Sequence, residues 1–147
     1  MSLFRPATPR QLSLGLTVLR VVTGIIFAAH GGQKLFVYGL DGVAGSFGQM
    51  GLPMAGLLGP LVAFVEFFGG LALVLGLVTR LAGLGLAAVM LGAITLVHLP
   101  NGFFSPNGFE FPMALFASAL ALAATGAGAY SVDGLIASRR PAGVRAR

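Results

Sequence analysis

Four long apolar stretches constrain this 147-residue chain more than any other feature of its sequence. They run from about residue 12 to 38, 57 to 78, 81 to 99 and 109 to 126. Each is close to the ~20 residues that a helix needs to cross ~30 Å of hydrocarbon. A soluble domain of this size could not bury them, because surface takes up a large share of a small fold. We therefore predict an all-α, integral membrane four-helix bundle.

The basic residues predict how the bundle is oriented. Arg5 and Arg10 precede the first stretch, Arg80 lies between the second and third, and four arginines follow the fourth. The other two loops, 39–56 and 100–108, contain no Lys or Arg. Cytoplasmic loops carry an excess of these residues, so we predict that both termini face the cytoplasm. The formal charge of +5 then indicates contact with anionic lipid and not with nucleic acid.

We predict one membrane domain, residues 12–135, between a short cytoplasmic segment, 1–11, and a basic cytoplasmic tail, 136–147. In the first outer loop, Asp41 is suited to cap a short helix that ends at Gly51. One side of that helix would carry Val43, Ala44, Phe47 and Met50. We expect it to lie in the outer membrane interface. The second outer loop, 100–108, is rich in turn residues and could fold back as a lid.

Six ionisable residues lie inside the apolar stretches or at their rims. They are Arg20, His30, Lys34, Glu66, His98 and Glu110. A charge near the bilayer centre costs about 2.5–3.5 kcal/mol on insertion scales, so such groups are expected to pair or to act. On a helical wheel Arg20, His30 and Lys34 share one face of the first helix, which should point inward.

Depth along the helices divides these six residues into two layers. At a rise of ~1.5 Å per residue, Arg20 lies roughly 13 Å and Glu66 roughly 19 Å from the cytoplasmic ends. An arginine side chain can span that difference, so we predict an Arg20–Glu66 interior ion pair. His30, Lys34, His98 and Glu110 all fall near the outer end. We predict that these four form a ligand-binding or proton-handling site without a metal.

Other interpretations of these residues stay open. The Arg20–Glu66 pair could be only a clasp that fixes helix register. The two histidines could bond backbone carbonyls in the interior, and Lys34 and Glu110 could be ordinary interface residues. A haem between His30 and His98, or zinc held by both histidines and Glu110, is also possible chemically.

Small residues line one side of the fourth predicted helix. They follow Glu110 as Ala114, Ala117, Ala121, Ala124 and Gly128. Small residues let helix backbones approach closely in membranes, so we predict a close-packing face. The same side could instead leave room for a ligand. The chain has no cysteine, which excludes disulfides, iron–sulfur clusters and thiolate nucleophiles.

Several short motifs occur in a fixed order between about residues 14 and 135. They are Arg20 with Gly24 and Phe27; HGGQKL at 30–35; EFFGG at 66–70; Gly76 with Thr79 and Arg80; His98 with NGFF at 101–104; Glu110; and GAGAYSVD at 126–133. In this order and spacing they resemble the DoxX family of small bacterial membrane proteins. The resemblance implies a four-helix bundle in the bacterial inner membrane. Related subunits are linked to quinone-dependent sulfur oxidation, in which electrons pass from thiosulfate to a quinone.

Three functions are compatible with these observations. In the first, a quinone or similar apolar ligand hydrogen-bonds to His30, Lys34, His98 or Glu110, and a partner protein supplies the electrons. In the second, the polar groups line a path for a small solute or lipid, which would require a homo-oligomer. In the third, they hold together a non-catalytic anchor or assembly subunit. The family offers no settled catalytic residues that would decide between them.

Overall fold

The computed structural model describes residues 6–139, and these form helices and the turns that connect them. The helices are α1 (Pro9–Gly32), α2 (Gly39–Gln49), α3 (Ala55–Leu75), α4 (Thr79–Ala93), α5 (Glu110–Thr125) and α6 (Val132–Ser138). A π-helical turn, Gln33–Tyr38, continues α1, and another, Ile94–His98, continues α4. Four arginines used to predict the orientation lie outside the described residues, namely Arg5, Arg140, Arg145 and Arg147.

Three helical runs are long and apolar enough to cross a membrane. They are Pro9–Gln49, Ala55–Leu75 and Thr79–Asn101. The fourth, α5, has 16 residues, which extend about 24 Å at 1.5 Å per residue. Large apolar side chains such as Leu61, Phe68 and Leu81 are more than half exposed. Lipid suits such a surface and water does not, so the all-helical membrane class is confirmed, with a fourth helix shorter than predicted.

Glycines bring α1 and α3 into backbone contact. A Cβ atom at Gly24 would lie 2.7 Å from the carbonyl oxygen of Gly70, and one at Gly31 would lie 2.7 Å from Cα of Phe67. Real Cβ atoms do not approach other atoms so closely, so each position requires glycine. This is the small-residue packing by which membrane helices associate.

The second close contact joins α4 to α5 and places the core between the two helix pairs. A Cβ at Gly83 would lie 2.7 Å from the carbonyl oxygen of Ala119. Helix α3 also packs against α4, and α5 reaches α1 less extensively. The buried core is made of Phe27, Leu73, Leu86, Ala87, Met90, Leu115, Ala119 and Leu122. The four longest helices therefore surround an apolar core, and the charged side chains of Arg20 and Glu66 are buried as well.

The close-packing face predicted on α5 was wrong. Ala114, Ala117, Ala121 and Ala124 are exposed, and α5 instead buries Leu115, Ala119, Leu122 and Ala123. Both sides of the helix carry small residues, and the contact of Gly83 with Ala119 and Ala123 turns the other side inward. The exposed residues form a continuous small-residue surface that faces away from the bundle, which we call the alanine stripe.

Helix α2 occupies the first loop, as predicted, and packs on the start of α3. Val43 is buried, and a Cβ at Gly59 would lie 3.2 Å from Cα of Ala44. The predicted capping role of Asp41 was wrong: the helix begins earlier, with Tyr38 at the N-cap position and Asp41 in the first turn. The location of α2 in the membrane interface stays a prediction, as does the orientation of the termini.

Two glycines of α1 provide a test of the α1–α3 contact. We expect Gly31→Ala to destabilise the bundle by about 1–3 kcal/mol, because the added methyl group must displace the backbone of α3. Gly15→Ala is the matched control, since a Cβ there meets nothing within 4 Å. Thermal unfolding in detergent would measure both. Equal melting temperatures for the two variants would contradict the contact.

Candidate functional site

Lys34, just after α1, and Glu66, near the middle of α3, form a buried ion pair. It lies toward the end of the bundle where α1 ends and α3 begins, which we call the loop end. Nζ of Lys34 donates to Oε2 of Glu66. The Glu66 side chain is 5% exposed and that of Lys34 is 21% exposed. Within residues 6–139 this is the one salt bridge. The carboxylate is thus shielded, whereas the ammonium group can still be reached from outside.

The backbone contact between α1 and α3 makes this pair possible. Gly31 lies against Phe67, the neighbour of Glu66, and Lys34 follows three residues after Gly31. Lys34 belongs to the π-helical turn, whose extra residue changes the direction of side chains and which often occurs at functional sites. Two desolvated charges are costly unless they pair closely. Helix geometry therefore places the two groups where each compensates the other.

The predicted Arg20–Glu66 ion pair was wrong. Arg20 is 2% exposed and donates to the carbonyl oxygens of Leu73, Val74 (2.6 Å) and Tyr130 (2.9 Å). The last carbonyls of a helix have no partner within it and carry the negative end of its dipole. The carbonyl groups of Leu73 and Val74 lie at the end of α3, whereas Glu66 lies two turns away. Arg20 therefore joins α1 to the end of α3 and to the chain after α5.

Asp133 is a structural residue that the sequence analysis did not single out. Its Oδ1 accepts a hydrogen bond from the N–H of Val78 (2.8 Å), and its Oδ2 accepts one from Thr79 (2.9 Å). Val78 has a φ of +45°, a conformation that β-branched residues rarely adopt. The carboxylate satisfies the first free N–H groups of α4 and so holds the short link between α3 and α4. The one sequence feature that pointed to a role for Asp133 was its position in the motif at 126–133.

Gly76 allows these contacts to meet at one point. It has a φ of +67°, and a Cβ there would lie 2.7 Å from Nη1 of Arg20. Its carbonyl oxygen accepts from the N–H of Asp133 at 2.9 Å. We call this end of the bundle, where α1 and α4 begin and α3 and α5 end, the arginine end. Contacts of Arg20, Gly76 and Asp133 connect α1, the link between α3 and α4, and the segment after α5.

His98 and Glu110 hold the second outer loop. Nδ1 of His98 lies 2.9 Å from the carbonyl oxygen of Asn107, and Oε1 of Glu110 accepts from the N–H of Ser105 at 2.7 Å. Both residues therefore bond to residues 105–107 and not to Lys34 or His30. The four residues predicted as one cluster are at the loop end of three different helices. In the described chain, no side-chain hydrogen bond joins any two of them.

His30 is the fourth residue of the predicted cluster. It lies one turn before Lys34 on α1, is exposed, and has its ring centroid 6.3 Å from that of Phe111 on α5. No three His, Asp or Glu side chains among residues 6–139 are grouped so that they could hold a metal ion. The zinc alternative therefore lacks geometric support in that part of the chain. The ligand-binding role of His30, Lys34, His98 and Glu110 stays a prediction.

The arrangement at the loop end combines a hydrogen-bond donor with proton acceptors. Lys34 carries three N–H groups, of which one is directed to Glu66. Glu66 and His30 carry the kinds of group that transfer protons in proteins. An apolar ligand with a polar head group that approached from the lipid would meet Lys34 and His30 first, because both are accessible.

Comparisons with known proteins bear on the identity of this bundle. The model of one protein family, DoxX, matches residues 15–99. A Bacillus subtilis protein named "Putative oxidoreductase CatD" is 35% identical over 84% of this chain and 88% of its own. The Escherichia coli inner membrane protein YqjF is 37% identical over 84% of this chain and 92% of its own.

A third relative extends the match to most of the chain. An uncharacterized membrane protein of Mycobacterium tuberculosis is 30% identical over 93% of this chain and 93% of its own. No solved structure matches significantly. Together, the helices and these relatives establish a multi-pass bacterial membrane protein.

Variants of the ion pair should separate the cost of burying its two charges from the stabilisation that their attraction provides. We expect Lys34→Met to lower the free energy of unfolding by about 3 kcal/mol, because it leaves a buried carboxylate without a partner. The double variant Lys34→Met with Glu66→Met should be close to wild type, since both charges are gone. A double-mutant cycle from detergent unfolding would measure this. Additive effects of the two substitutions would contradict the pairing.

Asp133 offers a second test, at the arginine end. Asp133→Ala should destabilise the bundle by about 1–2 kcal/mol, the typical cost of removing a helix-capping side chain. Asp41→Ala is a suitable control, because the exposed Asp41 carboxylate accepts no hydrogen bond within the described residues. Melting temperatures in detergent would compare them. An equal loss in both variants would contradict a specific capping role.

Proposed function

Since this chain belongs to the DoxX family, we propose that it is a redox-associated membrane subunit that binds a quinone or a similar apolar ligand at its loop end. The head group of the ligand accepts a hydrogen bond from Lys34, and its apolar tail stays in the lipid. The relative named as an oxidoreductase supports the redox association. The resemblance to subunits linked to quinone-dependent sulfur oxidation suggests the quinone and, with it, thiosulfate as the electron source.

The partly accessible Lys34–Glu66 pair is the observation that carries this proposal. A structural ion pair would be satisfied by complete burial, but the ammonium group of Lys34 keeps N–H groups that Glu66 does not use. A quinone presents two carbonyl oxygens that accept such bonds. His30 and the exposed Phe111 stand beside one another on α1 and α5, and their two aromatic faces, tilted by 46°, offer apolar contacts for the quinone ring.

Reduction of a quinone to a quinol takes two electrons and two protons. The electrons come from a partner redox protein, because this chain has no cysteine and no evident redox centre of its own. The protons pass through groups that can exchange them, namely Glu66 and His30. Lys34 stabilises the negative charge that develops on the quinone oxygen as electrons arrive. The chain thus binds and protonates the ligand while the partner supplies reducing equivalents.

The same proposal includes an orientation and a single domain. Arg10, Arg80 and Arg139 lie at the arginine end in the described chain, whereas the loops at the opposite end carry no Lys or Arg. The arginine end therefore faces the cytoplasm, and the ligand site faces outward. Residues 12–135 form the membrane domain, with α2 in the outer interface.

A second candidate function is a non-catalytic anchor or assembly subunit. It is supported by the bonds of Arg20, Asp133, His98 and Glu110, each of which reaches a backbone group of this chain. In that case the Lys34–Glu66 pair, like those bonds, only stabilises the bundle, and the partner protein docks on the outer surface. No ligand would then depend on Lys34.

Bound quinone provides the test. The protein, extracted from native membranes in a mild detergent, should carry quinone that organic solvent releases and mass spectrometry identifies. We expect Lys34→Gln to retain about tenfold less, the effect of losing one charge-assisted hydrogen bond. Asp41→Asn, which changes an exposed carboxylate in α2, should retain the wild-type amount.

Stability and partner binding must be measured alongside. Circular dichroism should show folded Lys34→Gln protein, so that ligand loss is separated from unfolding. If wild-type protein carries no quinone and added quinone does not raise its melting temperature, the ligand proposal is wrong. If a partner protein is then still co-purified with Lys34→Gln, the anchor function is favoured.

A further inference from the structure

The arginine end contains an open pocket that the quinone proposal does not use. It has a volume of about 500 Å³ and lies between the start of α4 and the chain that follows α5. Its lining includes Thr79, Arg80, Gly126, Gly128 and Asp133. The guanidinium of Arg80 passes over Gly126, where a Cβ would lie 3.4 Å from Nε of Arg80. The pocket therefore holds one cation, Arg80, and one carboxylate, Asp133, and it lies at the opposite end from Lys34.

The guanidinium of Arg80 forms no salt bridge within the described residues. The whole sequence has four acidic residues. Glu66 pairs with Lys34, Glu110 bonds Ser105, Asp133 caps α4, and Asp41 lies in α2 at the loop end. Asp133 is the one acidic side chain near Arg80, and both of its oxygens already accept backbone N–H groups. An anion at this pocket would supply the charge that the chain lacks.

The pocket also offers hydrogen-bond donors that the protein itself does not use. The N–H groups of Ala127 and Gly128 donate to no acceptor among residues 6–139. Thr79 also lines the pocket, but its hydroxyl is buried and not exposed to a ligand there. Successive free backbone N–H groups beside an arginine bind phosphate oxygens in many proteins. The donor set therefore matches a phosphate group better than a carboxylate, which has fewer oxygens.

The surroundings of the pocket are apolar. Val78 and Leu81, which line it, are 53% and 70% exposed. The alanine stripe begins at the same place, because Thr125 lines the pocket and Ala121 lies one helical turn above it. The stripe is a shallow surface on the outside of the bundle that no described segment covers. A ligand with a phosphate at one end and an acyl chain at the other would contact both features.

We propose that this pocket binds the phosphate of an anionic phospholipid. The headgroup phosphate accepts hydrogen bonds from the Arg80 guanidinium and from the N–H groups of Ala127 and Gly128. One acyl chain lies along the alanine stripe of α5. Binding is independent of the quinone site, since the two sites are at opposite ends of the bundle.

Native mass spectrometry in a neutral detergent tests the proposal, with phosphatidylglycerol as the anionic probe and phosphatidylcholine as the zwitterionic one. Wild-type protein should hold one phosphatidylglycerol in preference to phosphatidylcholine. Arg80→Gln should bind it about tenfold more weakly, as expected for one lost charge-assisted hydrogen bond. Arg139→Gln is the matched control, because it removes one exposed positive charge from the same end outside the pocket.

Each outcome is decisive. Loss in Arg80→Gln but not in Arg139→Gln supports the site, and equal loss in both overturns it in favour of general attraction to anionic lipid. If inorganic phosphate at millimolar concentration displaces the lipid and alone raises the melting temperature, the site is one for free phosphate and the lipid assignment is wrong. Lys34→Gln should keep wild-type lipid binding, so failure of the quinone proposal leaves this result unaffected.

Discussion

The backbone contact between α1 and α3 determines where Arg20 of α1 and Lys34 of the following turn find their partners. Gly24 and Gly31 let the two helices approach until their main chains touch. At that separation Lys34 reaches Glu66 at one end, and Arg20 reaches the last carbonyls of α3 at the other. A larger residue at either glycine would move both cations away from acceptors that lipid cannot replace. Packing and electrostatics are thus one constraint in this pair of helices.

The two ends of the bundle use their charged groups differently. At the arginine end, Arg20 and Asp133 bond backbone groups that helix termini leave unpaired, and this joins the starts and ends of helices. At the loop end, Lys34 and Glu66 bond each other, and Lys34 remains accessible. Charges that complete the backbone are committed to the fold, whereas an accessible charge pair can exchange one partner for a ligand. This difference is the physical reason for proposing a ligand site at Lys34.

Much of the architecture could be predicted because lipid imposes a simple rule on helix length and polarity. The helical class followed from apolar length, and the inward direction of Arg20 on α1 followed from the helical wheel. The partner of Arg20 could not be predicted, because a wheel gives the direction of a side chain but not the stagger of the neighbouring helix. The prediction also considered only charged partners for Arg20, whereas the free carbonyl groups at the end of α3 accept its hydrogen bonds. The alanine stripe was found in the sequence, but its outward direction could not be predicted, because two sides of α5 carry small residues of similar size.

The links made by Arg20 and Asp133 have a consequence for the order in which the protein is assembled. Arg20 bonds Tyr130, 110 residues later in the chain, and the start of α4 is capped from 55 residues away. During synthesis α1 enters the membrane long before the ribosome has made these partners. Its arginine must then remain at the membrane surface or be shielded by the insertion machinery. The segment after α5 therefore completes the bundle, and a truncated chain that lacks it would leave Arg20 with only the carbonyl oxygens of Leu73 and Val74 as acceptors.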